Sequence, residues 1–217
     1  AVATAAAAPR RRAAAARRPR GQLTVHVRRP TTLHARPGGR VVARLAPRTE
    51  FGSPRVLPVV RRAGRWLGVI ASALPNGRVG WIRADPTMRA HRSRWALTAS
   101  LARREVVVRR DGRVVRRFPV AVGSPSTPTP TGRFAVTDKL LTGDASSPYG
   151  CCILALSGRQ PRTPQGWGGG DRLAIHATPL EETIGTAASL GCLRAAGRVM
   201  RRLVATVPLG TVVTIRR

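Results

Sequence analysis

Short apolar runs separated by turn residues recur from Leu23 to the end of this chain. Runs of this length, bounded by glycine, proline, asparagine or aspartate, are typical of β-strands. A helical repeat stands out once, downstream of Cys192, where the apolar positions would share one helical face. They are Leu193, Ala196, Val199, Met200, Leu203, Val204 and Val207. The pattern therefore predicts a mainly β protein with one main α-helix that begins at or just after Cys192.

The first half of the chain, residues 22–88, is predicted to form a small β-barrel-like domain. Hydrophobic and polar residues alternate in Leu23–Val27, and the apolar segments Trp66–Ile70 and Val79–Ile82 flank Asn76-Gly77. Asn-Gly favours the tight turns of β-hairpins. We therefore expect a hairpin at this point.

A second, β-rich domain is predicted for residues 95–217, after a linker within residues 85–94. Trp95–Leu101 has the pattern of a strand, Arg110–Arg113 that of a hairpin turn, and Thr211–Ile215 that of a closing strand. The two predicted domains thus share a β-rich composition but differ in their candidate chemistry.

Positive charge is spread over the whole chain. Of 217 residues, 39 are Lys or Arg and nine are Asp or Glu, which gives a formal net charge of +30. Residues 1–21 are almost entirely alanine, arginine and proline, so we expect a disordered basic tail, either a spacer or an electrostatic anchor. Anionic cell-envelope polymers are a possible partner. A specific nucleic-acid partner is not favoured, because no groove-reading or base-stacking motif is present.

The candidate chemistry lies in the second domain, where Cys192 follows His176 by 16 residues. Leu173–Thr178 has the pattern of a buried strand that delivers His176 near its end. At a helix start beside a histidine, the pKa of the Cys192 thiol would be lowered, which favours a nucleophilic thiolate. Taken singly, a cysteine or histidine of this kind is more often a packed core residue.

Neighbouring groups extend this candidate acyl-transfer site. Gly191 allows a substrate to approach the backbone closely, and the N–H groups of Gly191 and Cys192 are candidates for an oxyanion hole. His176 is the one histidine from Trp95 to the end of the chain, so it is the base for any Cys–His chemistry there. No Cys or His spacing is typical of a metal site, and we expect no cofactor.

The same residues carry a resemblance to a known family. Ile175–Thr178, Ile184-Gly185 and Ser189–Arg194, preceded by Val122–Ser124 and Thr129–Phe134, resemble the signature of the L,D-transpeptidases. These are cysteine enzymes that cross-link bacterial peptidoglycan. The likeness covers roughly residues 96 to 217, and it implies a β-rich catalytic domain of that family.

The resemblance implies roles for individual residues. Cys192 would be the nucleophile and His176 the base, with the Ala177 carbonyl orienting the imidazole. Ser189 and Arg194 match the motif: they would contact a substrate carboxylate or brace the loop, and the alternative for Arg194 is a charge on the helix surface. The family most often has histidine before the motif glycine. This chain has Leu190 there, so any contribution of that histidine is absent.

The first domain carries a likeness of its own. The pattern G-x-W-x-x-V at Gly64–Val69, followed by G-x-x-G-W-I at Gly77–Ile82, resembles the bacterial Src-homology-3-like domains that accompany cell-wall enzymes. Small barrels share such features without sharing a function. The ligand of this domain therefore stays open at this point.

Together these features predict a cell-wall enzyme that is secreted or held in the cell envelope. It would cross-link peptidoglycan through a Cys192 thioester, with tetrapeptide stems as donors, and so contribute to cell-wall organisation and cell shape. The alternatives are an L,D-carboxypeptidase on stem peptides and, because of Leu190, a non-catalytic wall-binding protein. No apolar run approaches the length of a transmembrane helix.

The remaining cysteines, Cys151 and Cys152, are adjacent. We expect them to lie unbridged in a strand, one side chain inward and one outward. A redox role beside Cys192 is the second possibility.

Overall fold

The computed structural model describes residues 21–144, 146–162 and 170–217. The basic tail predicted for residues 1–21 lies outside this range, apart from Gly21. Within the described residues, the chain forms two β-sheets, one α-helix and one short 3-10 turn at Glu181–Thr183. The prediction of a mainly β fold is therefore confirmed.

The first sheet has seven strands, and every neighbouring pair in it is antiparallel. The strand order is β3-β2-β6-β5-β4-β1-β7. The predicted hairpin around Asn76-Gly77 is present as the paired strands β5 and β6. The strands are β1 (Gln22–His26), β2 (Thr31–His34), β3 (Val41–Leu45), β4 (Val56–Ala63), β5 (Trp66–Val69), β6 (Gly80–Arg83) and β7 (Arg89–Ser93).

The predicted linker at residues 85–94 is largely wrong, because Arg89–Ser93 is strand β7. All five of its residues pair with β1 at the edge of the first sheet. Four of them are exposed and polar or small, so the segment lacks the alternation that marks a strand in sequence. Backbone pairing, rather than side-chain burial, makes it a strand.

The second sheet has eight strands in the order β10-β9-β8-β15-β11-β12-β13-β14. Two of its pairs, β8 with β15 and β13 with β14, are parallel, and the others are antiparallel. The strands are β8 (Trp95–Ser100), β9 (Glu105–Arg110), β10 (Arg113–Pro119), β11 (Gly132–Leu141), β12 (Cys152–Arg159), β13 (Arg172–Ala177), β14 (Leu193–Ala195) and β15 (Val212–Arg216).

The α-helix, α1 (Gly197–Thr206), begins five residues after Cys192 rather than at it. Leu193 and Ala195 are buried as members of β14, with Arg194 between them. Their apolar spacing fits a helix as well as a strand, and pairing with β13 decides in favour of the strand. The helix packs against β12 and β13 through Val199, Met200 and Leu203. No helix among the described residues is long and apolar enough to cross a membrane.

Polar contacts connect the two sheets. The hydroxyl of Thr49, in the loop between β3 and β4, donates to Oδ1 of Asp138 on β11. Asp138 is fully buried, and the side chain of Arg55 is close enough to interact with its charge. Gly210, before β15, lies against Thr24 and Val56 of the first sheet. The sheets therefore meet through specific side-chain contacts.

The close contact between Gly158 and Phe134 gives a test of the packing in the second sheet. A Cβ added at Gly158 would lie 2.5 Å from a ring atom of Phe134, which is 1% exposed. We expect Gly158→Ala to lower the free energy of unfolding by about 1–3 kcal/mol, because the ring has no room to move. The measurement is the urea denaturation midpoint.

Gly197→Ala is the matched control, because a Cβ there would meet its nearest neighbour at 3.7 Å. We expect its unfolding free energy to be unchanged or raised, since alanine favours a helix over glycine. Equal urea denaturation midpoints for Gly158→Ala and wild type would contradict the close contact between Gly158 and Phe134.

Candidate active site

Two parallel strands bring the candidate nucleophile and base to one place. His176 on β13 lies opposite Arg194 on β14, and Cys192 is the residue just before Leu193, where β14 begins. Because side chains alternate along a strand, Cys192 and Arg194 are expected to point to one face. Both line the same cleft as His176. The position of the sulfur is therefore set by strand pairing and not by a helix.

The cleft draws its walls from several parts of the second sheet. Besides Cys192, His176 and Arg194, it is lined by the turn before β12, the residue after β12, the start of β13 with the two residues before it, and the loop that carries Cys192. These contribute Pro148, Tyr149, Gln160, Gly170, Asp171, Arg172, Ser189 and Leu190.

The imidazole of His176 is buried and oriented by the backbone. Its Nδ1 lies 2.5 Å from the carbonyl oxygen of Ala177, and since a carbonyl only accepts, Nδ1 carries the hydrogen. Nε2 then holds the lone pair and is the atom able to accept a proton. The ring of Tyr149 packs edge-on against the imidazole, with the centroids 5.0 Å apart. The Ala177 carbonyl therefore lies within hydrogen-bond distance of the imidazole that it would orient.

Burial lowers the pKa of the His176 imidazole to about 4, because the charged form loses its hydration. The charge of Arg194 acts in the same direction, and backbone hydrogen bonds at Ala177 and Tyr149 oppose it. His176 is therefore neutral at pH 7.

The pKa of the Cys192 thiol differs from the value that the sequence predicts. Burial raises its pKa to about 11, and a hydrogen bond with the Ala174 backbone and the charge of Arg194 only partly oppose this. The prediction of a lowered thiol pKa is wrong, because Cys192 precedes a strand and receives no field from a helix N-terminus. The protonated sulfur lies 3.8 Å from the Arg172 carbonyl oxygen, to which it donates.

Ser189 braces the turn that carries the cysteine. Its side-chain oxygen accepts from the Gly191 N–H at 3.0 Å and donates to the Cys192 carbonyl at 2.6 Å. Its own backbone carbonyl accepts from the Ser124 N–H and from the Thr127 hydroxyl. Of the two roles considered for Ser189, these contacts favour the structural one.

The Gly191 N–H is already engaged, so it is not available as a ready oxyanion donor. Gly191 itself is required here for two reasons: its φ is +117°, and a Cβ would lie 2.1 Å from Nε2 of Gln160. The side chain of Gln160 is held in place by the carbonyls of Thr127 and Pro128. The Cys192 N–H is then the remaining member of the predicted oxyanion pair.

Arg194 lies on β14, so the alternative of a helix-surface charge is wrong. Its backbone exchanges hydrogen bonds with Ala121 at 3.0 and 2.9 Å. Its side-chain Nε is buried, and among the described residues it has no hydrogen-bond partner. A buried donor without a partner is costly, and this one belongs to a residue that lines the cleft.

Cys151 and Cys152 are joined by a disulfide. The expectation that they are unbridged is wrong, because Cys151 lies in the turn before β12 and only Cys152 is in the strand. The alternation of a strand therefore does not apply to this pair. Among the described residues, no group of three or more His, Cys, Asp or Glu is arranged to hold a metal ion.

Three residues of the cleft were not singled out by the sequence. Tyr149 packs on the imidazole, Gln160 lies under Gly191, and the Arg172 carbonyl accepts the thiol hydrogen. None belongs to a recognisable motif. Each acts through tertiary contact or through its backbone, which sequence patterns do not encode.

A thiol just before one strand and an oriented imidazole on the neighbouring strand of a mainly β domain define a protein with a Cys–His site. The chain matches the YkuD family, the L,D-transpeptidase catalytic domain, over residues 94–215. That match covers more than half of the chain, and the chain belongs to this family.

Two relatives from Bacillus subtilis, YkuD and YqjB, carry names that assign them to the L,D-transpeptidases. This chain is 32% identical to YkuD over 121 residues, which are 56% of the chain and 65% of YkuD. It is 34% identical to YqjB over 120 residues, which are 51% of the chain and 65% of YqjB. The match thus spans less than two thirds of either relative.

Among solved structures, the chain is similar to L,D-transpeptidase 3 from Mycobacterium tuberculosis in complex with a faropenem-derived adduct. The identity is 17% and the TM-score 0.49, over 64% of this chain and 73% of the other. An L,D-transpeptidase from Mycobacterium smegmatis is 19% identical with a TM-score of 0.47, over 75% and 90% of the two chains.

The buried imidazole generates a prediction about stability and pH. Between pH 6.5 and 4 the unfolded chain binds a proton at His176 that the folded chain does not, so the stabilisation present above pH 6.5 is lost as the pH falls. We expect wild type to lose about 2 kcal/mol more than His176→Gln between pH 7 and pH 5. Urea denaturation at each pH measures this.

His91→Gln is the control, because His91 is exposed. The unfolding free energy of this variant should change between pH 7 and pH 5 by the same amount as that of wild type. Parallel curves for wild type and His176→Gln would show that the imidazole binds protons equally in the folded and unfolded chains, which would contradict the lowered pKa.

Proposed function

We propose that this protein is an L,D-transpeptidase that cross-links peptidoglycan stem peptides through a thioester on Cys192. The observation that carries the proposal is the cleft shared by Cys192 and His176, with the imidazole oriented by the Ala177 carbonyl. Membership of the L,D-transpeptidase catalytic-domain family supports the same reaction class.

In the first step, the Cys192 sulfur attacks a carbonyl carbon of the donor tetrapeptide stem, and the thiol proton passes to Nε2 of His176. The negative charge on the carbonyl oxygen is stabilised by the Cys192 N–H. The C–N bond then breaks, and His176 returns the proton to the leaving amine. A thioester between the stem and Cys192 remains.

In the second step, an acceptor amine attacks the thioester carbonyl. A new amide bond forms, the C–S bond breaks, and the proton lost by the amine returns through His176 to the sulfur. The donor and acceptor stems are then cross-linked, and Cys192 is again a thiol.

The direction of both pKa shifts bears on how the thiol is activated. A raised thiol pKa and a lowered imidazole pKa favour a neutral pair at pH 7 over a thiolate and an imidazolium. His176 therefore removes the proton while the sulfur attacks, and no ion pair forms beforehand.

Arg194 is the proposed contact for a substrate carboxylate. Its unpartnered Nε has a hydrogen to donate, and the cleft around it contains both reacting groups. Guanidinium groups bind carboxylates in a well-defined geometry. Leu190, which is 37% exposed at the rim, gives this edge of the cleft an apolar contact where the family most often has a histidine.

Two other functions use the same cleft. If water instead of an amine resolves the thioester, the enzyme is an L,D-carboxypeptidase. If Leu190 and the raised thiol pKa prevent acylation, the protein binds cell wall without reaction. The exposed Leu190 and the protonated sulfur are the observations that support a wall-binding protein without catalysis.

The proposed substrate places the protein outside the cytoplasmic membrane. The net charge of +30 supports residence on anionic envelope polymers, because the protein's field attracts them at low salt. We extend the proposal to residues 22–88, which contain six of the seven strands of the first sheet, as a Src-homology-3-like domain of a wall enzyme.

Acylation by a carbapenem tests the nucleophile. We expect mass spectrometry to find one covalent adduct, on the peptide that contains Cys192, because the strained lactam carbonyl replaces the stem carbonyl in the first step. Cys192→Ala should carry no adduct. His176→Ala should react about 10²–10⁴-fold more slowly, since the proton then has no acceptor.

A wild-type protein without adduct would overturn the catalytic proposal. Leu190→His tests whether the missing histidine is the reason. If this variant is acylated and wild type is not, the wild-type chain is a binding protein with an inactivated site.

Incubation with purified muropeptides tests the fate of the thioester. We expect cross-linked dimers that disappear with Cys192→Ala. Shortened stems without dimers, at every acceptor concentration, would assign the carboxypeptidase reaction instead. Liquid chromatography with mass detection separates the two products.

A further inference from the structure

The first sheet reaches the border of the candidate active site at two points, Arg159 at the end of β12 and Arg172 at the start of β13. Arg159 and Arg172 are paired in the second sheet, and the residues next to them are also joined. The Gln160 N–H donates to the Asp171 carbonyl at 2.7 Å, and Arg159 forms a salt bridge with the Asp171 side chain. Gln160, Asp171 and Arg172 line the cleft.

The first point of contact is Glu50, in the loop between β3 and β4, which forms a salt bridge with Arg172. The Arg172 side chain is only 10% exposed. It also donates to the Leu156 carbonyl and to the Thr137 hydroxyl, at 2.7 and 2.8 Å. Because a buried cation needs a counter-charge, Glu50 contributes to holding this guanidinium in place.

Arg172 is joined directly to the reacting sulfur. Its carbonyl oxygen accepts the Cys192 thiol hydrogen, so the same residue receives the salt bridge through its side chain and the thiol through its backbone. A displacement of Arg172 therefore changes the position of the acceptor at the sulfur.

The second point of contact is Asn76, in the turn of the β5–β6 hairpin. Its side-chain amide donates to the Arg159 carbonyl at 2.7 Å, and its side-chain oxygen accepts from the Arg159 N–H at 2.9 Å. This pair of bonds fixes the backbone next to Gln160. The Gln160 side chain in turn lies under Gly191, immediately before Cys192.

Charge supports a specific role for Glu50. Residues 21–90 contain 13 arginines but only two acidic residues, Glu50 and Asp85. One of the two carboxylates is thus placed against the arginine that adjoins the thiol. The neighbouring Thr49–Asp138 contact holds the Glu50 loop to β11 at the same place.

We propose that Glu50 and Asn76 are positioning residues: through them the first sheet fixes Arg172 and Arg159, and so the environment of the Cys192 thiol. The inference rests on the proposed function for its kinetic readout only. The first sheet is then part of the enzyme's active-site support, in addition to any binding role of its own.

Breaking the Glu50 contact should change the reaction more than the binding of substrate. In Glu50→Gln, Arg172 lacks its counter-charge, turns toward water and moves the carbonyl at the sulfur. We expect the limiting rate of carbapenem acylation to fall about tenfold, because small displacements of reacting groups are costly, with the half-saturating concentration unchanged. Glu50→Asp retains the charge and should restore most of the rate.

The chemical reactivity of the thiol gives a readout that is independent of the proposed function. The rate of Cys192 alkylation by iodoacetamide, followed against pH by peptide mass spectrometry, reports the thiol pKa. The charged and titratable groups near the sulfur are Arg194, His176, Arg172, Tyr149 and Asp171. Loss of the Arg172 acceptor and entry of water favour the thiolate, so we expect a lower midpoint in Glu50→Gln.

Glu105→Gln is the matched control, because it removes another partly exposed glutamate that forms a salt bridge, with Arg117 on β10. Its acylation rate and alkylation midpoint should equal those of wild type. Asn76→Ala tests the second contact in the same assays and should also slow acylation. Thermal denaturation of each variant confirms that it is folded under assay conditions.

The outcomes separate the two proposals. If Glu50→Gln and Asn76→Ala match wild type in acylation and in alkylation midpoint, the positioning role is overturned and the catalytic proposal stands. If wild type is not acylated at all, the catalytic proposal fails, and the alkylation midpoints alone decide the positioning role.

Discussion

The pairing of β13 with β14 is the constraint on which the site depends. This short parallel ladder sets His176 opposite Arg194 and holds Cys192 just before its first residue. Both strands are packed among buried side chains, and His176 is itself buried. The pairing thus brings sulfur and imidazole to one cleft, where desolvation favours the uncharged form of each.

The loop of residues 189–192, which carries the cysteine, is held by close contacts that leave little free space around it. Ser189 closes it by two side-chain hydrogen bonds, and Gly191 leaves room for the Gln160 amide. Gln160 adjoins the residue that Asn76 holds, and Arg172 adjoins the sulfur on the other side. Order in the motif therefore depends on residues more than a hundred positions away in the chain.

Sequence patterns predicted the fold class, the β5–β6 hairpin and the family, because alternation, turn residues and motif spacing are local signals. They failed where two structures share one pattern. Leu193 and Ala195 fit a helix and a strand equally well, and only the partner strand decides between them. The polar strand β7 was missed because its stabilisation comes from backbone bonds. The wrong prediction of a lowered thiol pKa followed from the helix start that was placed at Cys192. The Gly191 N–H was assigned to the oxyanion hole because its bond to the Ser189 side chain is not visible in the sequence.

The disulfide between Cys151 and Cys152 leaves Cys192 as the one cysteine with a free thiol. With a pKa of about 11, roughly one such sulfur in ten thousand is a thiolate at pH 7. Peroxides and foreign disulfides react with the thiolate form. A thiol that stays mostly protonated at neutral pH therefore reacts slowly with such oxidants.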